Sequence, residues 1–365
     1  MKKSRLIIIS KTLMITLVTL ILVMGAYVAY VSIQYHRLDD ELVLNVHNNN
    51  SQIVDVNNEY VIMTYNIGFG AYNHDFSFFM DTGEMLSGEK MKGTKAKAED
   101  KRVVENNTNG AIELVKTVEP DFLFLQEVDV AANRSYFVDQ YALFSQALPA
   151  LARVMALNFH SAYLFYPLND PIGKITSGMT TFSQYGINEA TRYQLPIDNS
   201  FPTRFFDLDR CFVITRIKTN TERDLVLINV HLSAYDEGGA IRALQLKKLQ
   251  EILIAEQNHY VIVGGDFNHD IADSLHSFTT TQKVPTWVYV FPKDSLPNGY
   301  HIVAANNVGT CRSTDMAYTK NVNYTVVIDG FIVNDLISVI DIHNIDNDFF
   351  YSDHNPVAMT FSFGD

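Results

Sequence analysis

Cysteine is nearly absent from this sequence. Cys211 and Cys311 are the only two, which excludes the disulfide frameworks of small secreted domains. Neither has partners at a spacing that suggests zinc. They read as two buried thiols, and a disulfide between them stays open, because sequence does not show that two residues meet. Acidic residues are missing from positions 1–38, which carry five basic ones, Lys2, Lys3, Arg5, Lys11 and Arg37. Basic residues are scarce in the remainder, 23 against 41 acidic, a formal charge of −18. Phosphate-driven nucleic-acid binding needs a cationic face, so this balance argues against avid binding and leaves room only for a local basic patch. No internal repeat and no Pro- or Gly-rich break divides 59–365, so one domain is the economical reading. What is abundant is apolar side chain, 47% of residues, enough to exclude global disorder.

From Thr12 to Ile33 run 22 residues without a formal charge. About 20 suffice to cross a hydrocarbon core, and scattered Thr and Ser give the run no polar face. It is longer than the roughly 7–15-residue core of a cleavable signal peptide and lacks a clean small-x-small site. The reading is an uncleaved single-pass anchor at 12–33. Basic residues before it place 1–11 in the cytoplasm and the rest on the outer side. Residues 34–58, polar and Asn-rich, read as a stalk.

Beyond the stalk, apolar β-branched runs alternate with helical segments. Strands are expected at 60–66, 121–126, 160–166, 177–183, 187–195, 211–218, 224–231, 260–264, 324–333 and 356–363. Residues 78–101 read as a surface loop. Val104, Ala111, Val115 and Val118 make a helical stripe over 102–118, closed by Pro120. Helical material is expected to about 157. A second helix over 239–257 sets Ile241, Leu244, Leu249, Ile252 and Leu253 on one face. The class is α/β.

Polar residues sit where such runs end. Asn66, Glu127, His231, Asp266 with Asn268, Asp329, and Asp353 with His354 each end, interrupt or immediately precede an apolar strand, where an unpartnered carboxylate would be costly. Singly, each has an ordinary reading as a turn residue, cap or satisfied histidine; eight together strain it. The set suits hydrolysis of a phosphate ester. Carboxylate and amide oxygens without Cys favour Mg²⁺, Mn²⁺ or Ca²⁺. A His paired to an Asp suits proton removal from water, and a second His with an Asn suits contact to phosphoryl oxygens.

The segments TYN (64–66), QE (126–127), NVHLSAYD (229–236), GGDFN (264–268), IDGF (328–331) and SDHNP (352–356) occur in an order that resembles the endonuclease/exonuclease/phosphatase superfamily. The resemblance covers roughly 59–364. It implies a four-layered α/β sandwich of two packed, mainly antiparallel sheets flanked by helices, with the site at one rim. It implies Glu127 as the main metal ligand, with Asn66 and Asp353 as accessory metal-site residues. Asp266 corresponds to the carboxylate that orients or activates water, and Asn268 to a phosphate-contacting amide. Asp329 and His354 correspond to a carboxylate–histidine pair with His354 as general base, and His231 to a phosphate-side histidine. Arg210 corresponds weakly to a substrate-contacting Arg. Ser183–Gln184 departs from the S-R that many relatives show, removing one bidentate phosphate contact. Residues 65–81 are unusually aromatic; local packing is the plain reading, and a hydrophobic lip against lipid is the functional one.

The sequence therefore reads as an outward-facing, Mg²⁺-dependent phosphoric ester hydrolase acting on a lipid head group or small phosphoester. The HLSAYD segment, closer to sphingomyelinase-type HLxA segments than to nuclease ones, favours that over a surface-tethered nuclease. The membrane, through the N-terminal helix, and the phosphoester are the expected partners; nucleic acid is not favoured and no protein partner is predicted.

Overall fold

The computed structural model describes residues 2–364 other than Asp207 and Tyr235, without the side chains of Lys2, Lys3, Ser4 and Glu237. Tyr235, within the HLSAYD segment, thus lies outside the described residues. A long helix α1 (Lys2–Gln34) leads into β1 (Leu42–Val43), β2 (Tyr60–Asn66), β3 (Thr82–Glu84) and β4 (Lys90–Lys92). Then come α2 (Lys101–Val118), β5 (Phe122–Asp129), α3 (Gln140–Ala147), β6 (Ala152–His160), β7 (Thr176–Ser183) and β8 (Ile187–Gln194). β9 (Cys211–Ile217), β10 (Leu225–His231), α4 (Ala240–Glu256), β11 (Tyr260–Asp266) and β12 (Tyr300–Val303) follow. The chain closes with β13 (Cys311–Arg312), β14 (Thr325–Val326), β15 (Asp329–Asn334), β16 (Ile337–Asn344) and β17 (Val357–Phe363).

Two large sheets result, ordered β1-β8-β9-β10-β11-β15-β12 and β16-β17-β2-β5-β7-β6. Their pairings are antiparallel except β2–β5 and β10–β11. A parallel pair needs a long crossover, and α2 and α4 lie in those two crossovers. Asp100 caps α2 by accepting from the Val103 amide at 2.9 Å; Glu119, left-handed at φ 52°, ends it before Pro120.

Strand alternation explains the layers. Ile62, Phe122, Phe124, Leu225, Leu227 and Ile262 point between the sheets into one core. Their neighbours point outward: Met63, Leu123 and Leu125 against α2 and α3, and Val226, Ile228 and Val263 against α4. Strands buried on both faces read as continuous apolar runs, which is why these segments stand out in the sequence. The architecture is the expected four-layered α/β sandwich.

Several local expectations are corrected. Helix α3 ends at Ala147, and the stretch expected as helix to 157 enters β6, which itself stops at His160, so 161–166 is not strand. Residues 78–101 contain the β3–β4 hairpin. In α4 the buried face carries Arg242 and Gln245 beside Leu246, Leu249 and Leu253, while Leu244 is exposed. Strands β12 and β16 were not foreseen. Residues 34–58 are not a free stalk. β1 pairs with β8, Val54 is fully buried in the inter-sheet core, and the Asn48, Asn49 and Asn50 side chains donate to carbonyls of Pro149, Ile187 and Gln184. Cys211 and Cys311 are both free and buried. Helix α1 is long and apolar enough over Arg5–Gln34 to cross a membrane, and a signal sequence has the same properties.

Candidate active site

Inward-facing positions change character toward one end of the sandwich. Ile62 gives way to Thr64 and Asn66, and Phe124 to Gln126. Leu227 gives way to Asn229 and His231, and Val333 and Phe331 to Asp329. The first polar layer ties the sheets together: Gln126 Nε2 donates to Asn229 Oδ1 at 2.8 Å and to Thr64 Oγ1 at 3.1 Å, while Asn229 Nδ2 donates to the Thr180 carbonyl. Beyond it lies the site.

Register assembles that site. His231 stands opposite Asp266, and Asp266 opposite Asp329. Neighbouring strands are about 4.8 Å apart, so three strand ends set these side chains in one row. Gly264 lets the row close: a Cβ there would meet the Phe331 ring at 2.6 Å. Glu127 is turned into the same space by a register shift in β5 between Leu125 and Val128, with a left-handed φ of 55°. Asn268 is left-handed too, at φ 48°. Non-glycine residues held in this region cluster at functional sites.

The expected residues converge. His354 Nδ1 lies 2.8 Å from Asp329 Oδ2, and His354 Nε2 faces Asp266 Oδ2 at 3.7 Å. His231 Nε2 lies 3.5 Å from Asp266 Oδ2 and 4.0 Å from Glu127 Oε1. Asn66 Nδ2 donates to Asp266 Oδ2 at 3.0 Å and reaches Glu127 Oε1 at 3.4 Å, while its oxygen accepts from the Gly68 amide. Asn268 differs from expectation in its pairing. Its amide nitrogen is turned to the Leu232 carbonyl at 2.8 Å, and its backbone N–H donates to Asp266 Oδ1. Arg210 reaches the His231 carbonyl at 3.5 Å.

Burial dominates the electrostatics. It lifts the Asp266 carboxyl to about 7, with the charge of Asp329 adding to the effect. It lifts Asp353 to about 6, helped by Glu127. Burial, then Arg210 and His354, hold His231 well below the ordinary histidine range. Burial also opposes charge on His354, but the carboxylate of Asp329 and the other acidic neighbours outweigh it and raise that imidazole well above its usual value. Asp266, Asp329 and His354 bring metal-capable atoms within 4.8 Å of one another. Asp329 Oδ2 and His354 Nδ1 are hydrogen-bonded to each other, which makes this pair a relay. Glu127 and Asp353 lie beside it.

The site floors a cavity of about 770 Å³. Sequence reading missed two buried arginines in its wall. Arg134 is paired with Asp129 at 2.8 Å and laid over the Phe69 ring at 3.8 Å. Arg312 donates to the carbonyls of Asn73 and Ser313 and adds positive charge beside Asp353. A lone Arg in a short turn or a two-residue strand has no periodicity to announce it; only the rule that buried charges are partnered gives these two meaning. Within the aromatic stretch 65–81, Phe69, Tyr72 and Phe76 pack together as a local cluster, and Phe69 and Tyr72 line the cavity along with Phe78, Phe79 and Met80.

Comparison with known proteins bears on the fold and the family. No curated protein matches the sequence. Among solved structures, an endonuclease/exonuclease/phosphatase from Beutenbergia cavernae is 18% identical with a TM-score of 0.57, covering 84% of this chain and 72% of its own. The human Nocturnin catalytic domain is 15% identical at TM-score 0.51, covering 88% and 98%. D. rerio TDP2, solved with a single-strand DNA product, is 14% identical at 0.51, covering 83% and 99%. At these identities the likeness concerns the fold. The family model described as the Endonuclease/Exonuclease/phosphatase family matches residues 63–354, most of the chain and every strand end that builds the site. The chain belongs to the endonuclease/exonuclease/phosphatase family.

Proposed function

We propose that this protein is a membrane-anchored, metal-dependent phosphoric ester hydrolase that works on a lipid head group or small phosphoester outside the membrane. The observation that carries the proposal is the row His231–Asp266–Asp329 with His354 hydrogen-bonded at its end and Glu127 and Asp353 beside it, all of them except Asp329 lining one cavity.

The residues fit a divalent cation. Burial and Glu127 together raise the Asp353 carboxyl, as expected of two acidic groups awaiting positive charge. Their hard oxygens suit Mg²⁺, with Mn²⁺ or Ca²⁺ as substitutes. Glu127 and Asp353 would hold the ion; Asn66, whose amide bridges Glu127 and Asp266, would position their oxygens. Bound there, Mg²⁺ supplies charge neutralisation to the phosphoryl group.

The side chains divide the remaining work. The 3.7 Å between His354 Nε2 and Asp266 Oδ2 is too long for a direct hydrogen bond and suits a water held by both. His354, with its tautomer fixed by Asp329, takes the proton of that water as its oxygen bonds to phosphorus. Neutral His354 is the form needed, and positive charge on Glu127 and Asp353 would favour it by cancelling Asp353's pull. The ester P–O bond breaks, and the leaving oxygen ends protonated. His231, held neutral, donates from one ring nitrogen to a phosphoryl oxygen. Arg210 borders the same space, and Asn268 needs a rotation of its amide to reach the phosphate. Helix α1 is the anchor, oriented by the basic residues before it.

The test is turnover by the full chain in detergent or vesicles, with Mg²⁺, Mn²⁺, Ca²⁺ or EDTA. The panel is bis-p-nitrophenyl phosphate, phospholipids, small phosphomonoesters, DNA and RNA. Metal-dependent ester cleavage lost in His354→Ala supports the proposal. Cleavage of nucleic acid alone would transfer it to a tethered nuclease, and no turnover of any phosphoester would end it.

A further inference from the structure

The cavity and the anchor helix share two loops. Residues of 163–166 alternate between them: Leu164 and Tyr166 line the cavity, while the Phe165 ring meets Tyr27 of α1 at 5.4 Å and the Tyr163 carbonyl accepts from the Tyr27 hydroxyl. The loop around 201–206 does the same. Phe206 lines the cavity, while Phe205 packs on Val31 and meets the Tyr35 ring at 5.4 Å.

Depth follows from helix geometry. The apolar run Thr12–Ile33 is about 33 Å long at 1.5 Å per residue, matching a hydrocarbon core of about 30 Å. Tyr27 lies about 9 Å before its end. If α1 spans a bilayer, a loop docked on Tyr27 cannot stand in bulk water. The loops carry what that depth requires: Leu168 is 85% exposed, Phe201 62%, Tyr166 61% and Phe165 50%, and aromatic residues concentrate at membrane–water interfaces.

We infer that these loops seat the cavity mouth in the outer surface of the bilayer that holds α1, and that the substrate is a phosphodiester lipid of that same bilayer. Its phosphate lies at His354, Asp266 and Glu127, and its chains leave along Phe79, Tyr166 and Phe206. Water adds to phosphorus, one ester P–O bond breaks, and the released alcohol carries the proton. The inference rests on the hydrolase reading above and narrows its substrate to one reached from the membrane.

Two measurements on the full chain in vesicles of phosphatidylcholine, phosphatidylglycerol and sphingomyelin test it. Because Cys211 and Cys311 are buried, a nitroxide can be placed selectively at Leu168→Cys. A control label at Glu222→Cys sits in the β9–β10 turn, at the end of the sheets away from the site. Collisions with oxygen should exceed those with an aqueous nickel chelate at 168, and the reverse should hold at 222. The double variant Leu168→Asp/Phe201→Asp, outside the cavity wall, should lower vesicle-lipid hydrolysis at least tenfold with bis-p-nitrophenyl phosphate hydrolysis within twofold of wild type. A label at 168 as water-exposed as at 222 overturns the inference. So does cleavage of the soluble ester with no vesicle lipid cleaved, or a double variant that cleaves lipid normally. Failure to cleave either ester would instead bring down the hydrolase reading beneath it.

Discussion

Replacing Asp329 with Asn isolates the contribution of one negative charge. Asp329 Oδ2 lies 2.8 Å from His354 Nδ1, and both residues are buried. At an effective dielectric of about 20, two unit charges some 4 Å apart attract by about 4 kcal/mol. In the proposed reaction that attraction arises as His354 becomes an imidazolium, so its loss raises the barrier rather than weakening binding. About 4 kcal/mol corresponds to roughly a thousandfold in kcat. The fold should survive. Asn has the same shape, its oxygen can still accept from Nδ1, and its NH₂ replaces Oδ1, which has no hydrogen-bond partner among the described residues. The Asp329 amide keeps its bond to Thr310 Oγ1. The assay is kcat and KM for bis-p-nitrophenyl phosphate at saturating Mg²⁺, with thermal unfolding in parallel. A kcat within tenfold of wild type at unchanged Tm would refute the pairing as the source of His354's reactivity.

Three further changes probe other parts of the structure. Glu127→Gln should raise the Mg²⁺ concentration for half-maximal turnover by about two decades, read by metal titration, since a charged oxygen ligand becomes neutral; an unchanged titration would remove Glu127 from the ion. Gln126→Leu leaves Asn229 Oδ1 and Thr64 Oγ1 without their donor and should cost about 1–3 kcal/mol, read as a lower urea midpoint at constant m; an equal midpoint would deny the inter-sheet bond any net contribution. His269 is buried, and burial above all lowers its pKa from 6.5 to about 4. The unfolded state therefore binds its proton first as pH falls, so this contribution is whole above about 6.5 and is lost toward 4. The loss amounts to about 3 kcal/mol. Between pH 7 and 4.5 a His269→Gln variant should lose less stability than wild type, and parallel losses would contradict the assignment.

The proposed catalytic row was legible because of its surroundings. Strands such as LVLINVH and YVIVGGD are apolar on both faces, so the polar residue that ends each inward series is conspicuous. Asn229 and Gln126, lying within the same runs, carried the same signal one layer deeper. Strand β16 was not legible: it lies at a sheet edge with Asp341 and His343 outward, and its weak alternation resembles a loop. Arg242 defeated the reading of α4. A helical stripe scored on apolar residues passes over a buried guanidinium that donates to the carbonyls of Ala234, Asn268 and Trp287. Composition likewise recognised 34–58 as polar, but not that its Asn side chains were addressed to carbonyls more than a hundred residues away.

That last connection has a temporal side. Leu42 pairs with Arg192, about 150 residues later in the chain. At synthesis rates of about 5–20 residues per second, the segment following α1 waits about 8–30 s before the strand that receives it exists. Through that interval Val54 and its apolar neighbours have no core to enter. The first part of the domain to emerge is thus secured only after about half of the chain has been made, and its many amide side chains keep it soluble while it waits.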